Sequence, residues 1–224
     1  MTIVITVAPG FLRNLFRGGS GAQAEAPTLA QQRISRRSTG FQEFIRSIAR
    51  TDGQRVLDLG PTSPANIGFI TGLGHRAYND DLLLSSHDPA LLTVDKEGVK
   101  HIDVERFLAE NLAHEREIFD AVLLWDVPDY LDETLVKPVV ERIHKVTKPG
   151  GLLLGFFHTR DAGPDAPYYR YHIADKDTLE LQRGPQFALK RVFNNRHIEN
   201  LFHDFHSLKF FLGRDNIREV LVVR

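Results

Sequence analysis

Asp58, Asp81, Asp126 and His158 are the residues of this chain best placed to do chemistry, because each stands at or just beyond the end of a short apolar run. Val56-Leu57-Asp58-Leu59-Gly60-Pro61-Thr62-Ser63-Pro64 has strand, glycine, short loop and helix start in the order that turns backbone N–H groups toward a ligand. Asp81 follows Asp58 by twenty-three residues, after the next extended stretch. A carboxylate there can accept both ribose hydroxyls of a nucleoside lying across the first turn. Blander roles suit both acids: Asp58 as a cap on its own turn, Asp81 as half of an Asp80-Asp81 helix start. Trp125 ends the run Ala121 to Trp125 and serves either as core or as the floor of a cofactor or substrate pocket. Asp126, next in the chain, is a turn residue or a pocket group. His158 lies just beyond Leu152 to Phe157, and an imidazole that titrates near neutral pH can take a proton from a hydroxyl or amine. A lone His is equally a structural residue. Tyr168, Tyr169, Tyr171 and His172 either line a lid over an aromatic or lipophilic substrate or pack it down. His197, His203 and His206 lack the i, i+4 pairing of a helical zinc site, so no metal is expected.

The elements that must position these residues alternate. Ile34, Phe41, Phe44, Ile45 and Ile48 recur at helical spacing, predicting one amphipathic helix that stops near Asp52-Gly53. Arg55 to Leu59 is a strand, and Ser63 caps a short helix with Pro64 at its first position, ending near Gly72. His75 to Asn79 is the second strand. Leu82 to Lys100 reads as an irregular helix, with a weak third strand at Lys100 to Ile102 and a helix at Phe107 to His114. Phe119 to Trp125 is continuously apolar, as a central parallel strand should be. A helix at Thr134 to Val146, a Lys148-Pro149-Gly150-Gly151 turn and a buried strand at Leu152 to Phe157 follow. Asp161 to Arg191 interrupts the alternation as a lid or insertion, Asn195 to Phe205 is helical, and Leu208 to Leu212 with Glu219 to Val223 forms a hairpin. The fold class expected is α/β: a doubly wound, mostly parallel sheet with helices on both faces and an antiparallel C-terminal hairpin. The domain should occupy residues 31–224, behind a flexible tail at 1–30 that contains the linker Gly18-Gly19-Ser20-Gly21.

Composition narrows the classes of function. At 224 residues with 42% apolar and 25% charged residues, the chain is of globular type. Net charge is -1, so no overall field draws it to nucleic acid or membrane. Seven Arg and two Glu fall in residues 1–50, and fifteen acids against four bases in 77–133. There is no Cys, which removes disulfides, thiolate zinc sites and cysteine nucleophiles and fits a reducing, cytoplasmic location. No apolar run reaches membrane-spanning length, and Thr2 to Val7 is too short for a secretory signal, with its basic residues on the wrong side.

From about Gln54 to Gly155 the chain resembles the class I S-adenosylmethionine-dependent methyltransferases. Val56-Leu57-Asp58-Leu59-Gly60 is similar to the start of that family's first motif, and Gly74 to Asp81 to its second strand, with Asp81 in the register of the ribose-binding acid. Phe119 to Leu131 resembles the fourth strand and its loop, and Lys148-Pro149-Gly150-Gly151 the turn before the fifth. The resemblance implies a seven-stranded, Rossmann-like sheet and S-adenosylmethionine as cofactor. It implies that Asp58 receives the cofactor's amino group through water, that Gly60 and Thr62 carry the loop beneath it, and that Asp103 bonds adenine. It also makes Trp125 and Asp126 pocket residues. One departure stands out. The family continues with two further glycines where this chain has Thr62 and Pro64, so a side chain is added and N–H donors are lost where backbone should approach the ligand.

The expected function is methyl transfer to a small-molecule acceptor, with His158 on the acceptor side and catalysis mainly by alignment. The rival is a catalytically inactive, methyltransferase-like binding or regulatory protein, for which the altered loop speaks. An RNA-directed enzyme using Arg33, Arg36, Arg37, Arg46 and Arg50 ranks last, since few aromatics are interleaved there.

Overall fold

The computed structural model describes residues 32–94, 96–160, 167–213 and 215–224. The tail expected at 1–30 lies outside the described residues, as does the first part of the lid segment, 161–166.

The chain opens with β1 (Arg33–Arg37) and α1 (Thr39–Ile48). The single helix read through Ile34 is therefore two elements. Ser38 ends the strand and caps the helix, its side chain accepting from the Phe41 amide at 3.0 Å. Next come β2 (Arg55–Asp58), α2 (Pro64–Gly72) and β3 (Arg76–Asn79). Ser63 caps α2 and Pro64 opens it, as the sequence predicts. Then α3 (Leu82–Ser85) and a 3-10 turn lead to β4 (Leu92–Val94), β5 (Lys100–Ile102) and α4 (Val104–Asn111). The second half runs β6 (Phe119–Trp125), α5 (Val127–Tyr130), α6 (Glu133–Val146), β7 (Thr147–His158), β8 (Tyr169–Asp175), β9 (Thr178–Arg183), α7 (Asn195–Leu201), β10 (Ser207–Leu212) and β11 (Ile217–Val223).

The central sheet has six strands in the order β10-β11-β7-β6-β2-β3, of which β7, β6, β2 and β3 are parallel and the C-terminal hairpin antiparallel. Seven strands were expected. The missing one is β5, which pairs antiparallel with β4 in a separate hairpin, Leu92 opposite Ile102, instead of extending the sheet beyond β3. A third sheet, β1-β9-β8, joins the N-terminal strand to the segment read as a lid. The Lys148-Pro149-Gly150-Gly151 turn is part of β7, with Gly150 at φ 76° and a register shift beside it.

Alternate residues of the central strands supply two cores. Leu57, Val122, Leu124, Leu153, Phe157 and Val220 face α4, α6 and α7. Val56, Ala121, Leu123, Trp125, Leu154, Phe156 and Leu221 face α1 and the β8–β9 hairpin. From β2 the chain crosses to β3 on one side and later returns to β6 on the other, so strand order reverses between β2 and β6. In doubly wound sheets ligands bind outside the carboxyl ends of the strands at that reversal.

Candidate functional site

Asp58, Trp125 and His158 end β2, β6 and β7, and Gly60, Thr62, Asp81 and Asp126 follow within four residues of strand ends, so seven of the eight sequence-predicted residues share one rim. Asp103 does not join them. It follows β5, outside the central sheet, and caps α4 by accepting from the Arg106 amide at 3.0 Å. Its loose alignment with an adenine-binding acid depended on a third central strand that is not there.

The loop after β2 is pinned from beneath. Asn79 Nδ2 donates to the Asp58 carbonyl at 3.0 Å and the Gly60 carbonyl at 2.8 Å, while Thr62 Oγ1 donates to Asn79 Oδ1. Asp58 is buried. Its Oδ1 accepts from the Gly60 amide at 3.0 Å and from Trp125 Nε1 at 2.7 Å, and its Oδ2 from Asn66 Nδ2 at 2.8 Å. Burial raises its pKa against the pull of these three donors.

Trp125 takes the space above the glycine. Its residue sits at φ 51°, where the register of β6 on β7 shifts, and this end-of-strand irregularity swings the indole over the loop. A Cβ on Gly60 would lie 2.8 Å from Trp125 Cδ1, so glycine is required here by the indole. Tyr171 of β8 stacks on the indole, with centroids 5.1 Å apart and planes 2° from parallel, and Phe156 meets it edge-on at 5.6 Å.

Asn66 joins the loop to β8. Besides holding Asp58, its Nδ2 donates to the Tyr171 carbonyl at 3.1 Å, and its Oδ1 accepts from the Ile173 amide at 2.8 Å. His172 adds a second clasp. Burial lowers its pKa, and the neutral ring donates through Nε2 to Gln182 Oε1 at 2.8 Å and accepts the Ser63 hydroxyl at Nδ1 at 2.7 Å. Of the four residues read as lid-lining or packing, Tyr168, Tyr171 and His172 are buried. Asn66 was missed by sequence reasoning; an Asn in the first turn of an otherwise apolar helix was its one signal.

On the far side of Trp125, Asp126 opens α5 without capping it and accepts from Tyr171 Oη at 3.0 Å. Burial pushes its pKa up to about 7. Asp129, a residue without a role in the sequence reading, is fully buried and receives both the backbone amide and Nδ1 of His158, at 2.7 and 2.8 Å. Burial would lower the His158 pKa, but the Asp129 bond and the charges of Asp126 and Asp129 hold it above its ordinary value. At the other end of the rim Asp81 is half-buried and caps α3, accepting from the Leu84 amide at 3.1 Å. Burial raises its pKa as well. Asp80 is paired with His114 Nε2 at 2.7 Å.

The two halves of this rim differ: the Asp81 side is half-buried beside the pinned loop, whereas the Gly60 side is filled by indole and phenol. Two shallow surface clefts lie elsewhere, one of about 350 Å³ lined by Leu108, Pro138 and Arg142, the other of about 300 Å³ by Val136, Arg191 and His197. No group of three or more potential metal ligands occurs among the described residues. No helix among them is long and apolar enough to cross a membrane. The basic residues near β1 are partly spent: Arg36 is buried on Glu219 at 2.8 Å, and Arg33 pairs with Glu180 at 2.6 Å.

No family model and no curated protein matches this chain. Among solved structures it is similar to the 1,6-didemethyltoxoflavin-N1-methyltransferase of Burkholderia thailandensis, solved with 1,6-didemethyltoxoflavin and S-adenosylhomocysteine bound, at 11% identity and a TM-score of 0.47, covering 83% of this chain and 77% of that one. A TehB-like S-adenosylmethionine-dependent methyltransferase of Corynebacterium glutamicum matches at 15% identity and 0.46, over 83% and 87%. A methyltransferase of the same cofactor dependence from Methanosarcina mazei matches at 11% and 0.44, over 80% and 96%. Such scores are too low to transfer a function, which has to be read from this chain's own residues. The strand order and the terminal antiparallel hairpin give the fold: doubly wound and Rossmann-like, with six central strands.

Proposed function

We propose that this chain is an S-adenosylmethionine-dependent methyltransferase of the cytoplasm acting on a small-molecule acceptor. The observation that carries the reading is the convergence of the Gly60 loop and Asp81 at the carboxyl ends of β2 and β3, beside the reversal of strand order. Asp81 would hold the ribose, and the loop from Gly60 to Ser63, pinned by Asn79, would lie against the adjoining part of the nucleoside. The cofactor supplies a methyl group already activated on sulfonium, so the protein's task is alignment and water exclusion. The aromatic group of Trp125, Phe156 and Tyr171 would exclude water. His158, held by Asp129 through Nδ1, would take the acceptor's proton at Nε2.

A second reading is favoured by one observation, the indole over Gly60: a methyltransferase-like binding or regulatory protein whose cofactor site is filled by its own Trp125 and Tyr171. Calorimetry with S-adenosylmethionine and S-adenosylhomocysteine separates the two. Binding to the unmutated chain supports the enzyme. Binding only after Trp125→Ala supports the second reading, and binding to neither sinks methyl transfer.

A further inference from the structure

Trp125 is a bulky residue in a backbone conformation that bulky residues seldom adopt. Its φ of 51° lies in the left-handed region, just after the register shift in the pairing of β6 with β7. The next residue does not lock it in place, since Asp126 opens α5 without a side-chain cap, at φ -94° and ψ 18°. What holds Trp125 is its own side chain. The indole N–H donates to Asp58 Oδ1 at 2.7 Å, and the ring packs on Tyr171, Phe156 and Phe41, with centroids 5.1, 5.6 and 6.4 Å away.

The indole stands where a ligand of the β2 loop would have to lie. A Cβ on Gly60 would be 2.8 Å from its Cδ1 and 3.1 Å from its Nε1, so loop and ring leave no room for a ligand atom between them. Asp58 Oδ1 already takes two donors from the chain itself, the Gly60 amide at 3.0 Å and the indole. A ligand N–H would reach that oxygen in place of Trp125. The neighbours of the ring have anchors of their own. Tyr171 is bonded through Oη to Asp126 and through its carbonyl to Asn66, and Asn66 also holds Asp58 Oδ2. The closed arrangement therefore keeps one hydrogen bond and a stack at the cost of a strained backbone. An open one would relax the backbone and expose an aromatic-walled slot with a carboxylate at its foot. A ligand that supplies the missing bond and stack shifts the balance between them.

We propose that Trp125 is an autoinhibitory gate on the Gly60 loop, closed in the free protein and swung out when a nucleoside-bearing ligand puts an amino group on Asp58 in place of the indole N–H. The gate rests on the methyltransferase reading and adds regulation to it. It differs from a permanently filled site in that the unmutated chain binds its ligand, and in that binding moves Trp125.

Trp125 is the one tryptophan of the sequence, so tryptophan emission reports on it alone. S-adenosylhomocysteine is titrated into the full unmutated chain by calorimetry and by tryptophan emission, with acrylamide as quencher. Binding should come with a shift of emission to longer wavelength and a rise in quenching. Trp125→Phe keeps an aromatic ring but lacks the N–H, and should bind S-adenosylhomocysteine about tenfold more tightly, because losing one charge-assisted hydrogen bond enlarges the open fraction. Thermal melts establish that the variant folds; if it does not, the emission and quenching of the unmutated chain decide alone. Binding with emission and quenching unchanged, or a folded Trp125→Phe that binds no more tightly, overturns the gate and leaves the methyltransferase reading standing. Binding to Trp125→Phe alone makes the indole a fixed plug and overturns the gate as well. Binding to neither protein removes the cofactor reading and the gate with it.

Discussion

Asp81 and Asp126 are both acids placed just after a strand of the central sheet, and the structure treats them differently. Asp81 ends the β3 side, half-buried, with a helix cap as its bond to the fold. Asp126 follows β6, buried, bonded to Tyr171 of β8, with its pKa raised to about 7. What separates them is the β1-β9-β8 sheet, anchored by Asn66 and His172 over one part of the rim. The same kind of residue at equivalent strand ends is left as a solvent-facing acceptor in one place and drawn into an interior network in the other. A motif can locate a strand end, but what covers that end decides which chemistry remains.

Trp125→Ala should break the covered half most severely. It removes a buried indole, its bond to Asp58 and the Tyr171 stack, and a loss of about 3–5 kcal/mol is expected in urea unfolding. A loss below about 1 kcal/mol would mean that the ring is not packed as described. Asp126→Asn sharpens the contrast through pH. The folded-state pKa of about 7 stands above the unfolded value of about 3.9, so the folded chain keeps a proton that the unfolded chain has released. That contribution is full below about pH 4 and fades as pH rises through 7. Asparagine cannot ionise, so the variant should gain on the unmutated protein by about 2–3 kcal/mol between about pH 5 and 8. Parallel stability curves would contradict the buried acid. Asn66→Ala strips donors and an acceptor from Asp58, Tyr171 and Ile173 at once, and should cost about 2 kcal/mol. Asp81→Ala is the mildest. Loss of the α3 cap should cost about 1 kcal/mol, visible as a small drop in melting temperature.

The rim was legible in the sequence because its signals are local. Ser63-Pro64 specifies a helix start within two residues, and the unbroken apolar run Ala121 to Trp125 specifies a central strand whatever lies around it. The cover was not legible. Arg33–Arg37 is mostly polar, and its partner β9 is far along the chain, with Arg33 opposite Gln182; nothing nearby distinguishes Ile34 from the first position of the helix that follows. The same distance hides the Trp125–Tyr171 stack and with it the filling of the space above Gly60. At β5 the error ran the other way. A correct short strand at Lys100–Ile102 was assigned to the wrong sheet, because an apolar residue or two cannot say which edge it will join. Asp129 went unassigned for the reason that made it buried: its partner is His158, across the rim.

The most direct measurement is calorimetry of S-adenosylhomocysteine with the unmutated chain, Asp81→Ala and Asp80→Ala. The account predicts one site per chain, weakened by about ten- to a hundredfold in Asp81→Ala, the worth of a charge-assisted bond to ribose. Asp80, already paired with His114, should leave the affinity nearly unchanged on substitution. No binding to the unmutated chain, or equal losses from the two variants, would contradict the assignment of this rim to a nucleoside-bearing cofactor.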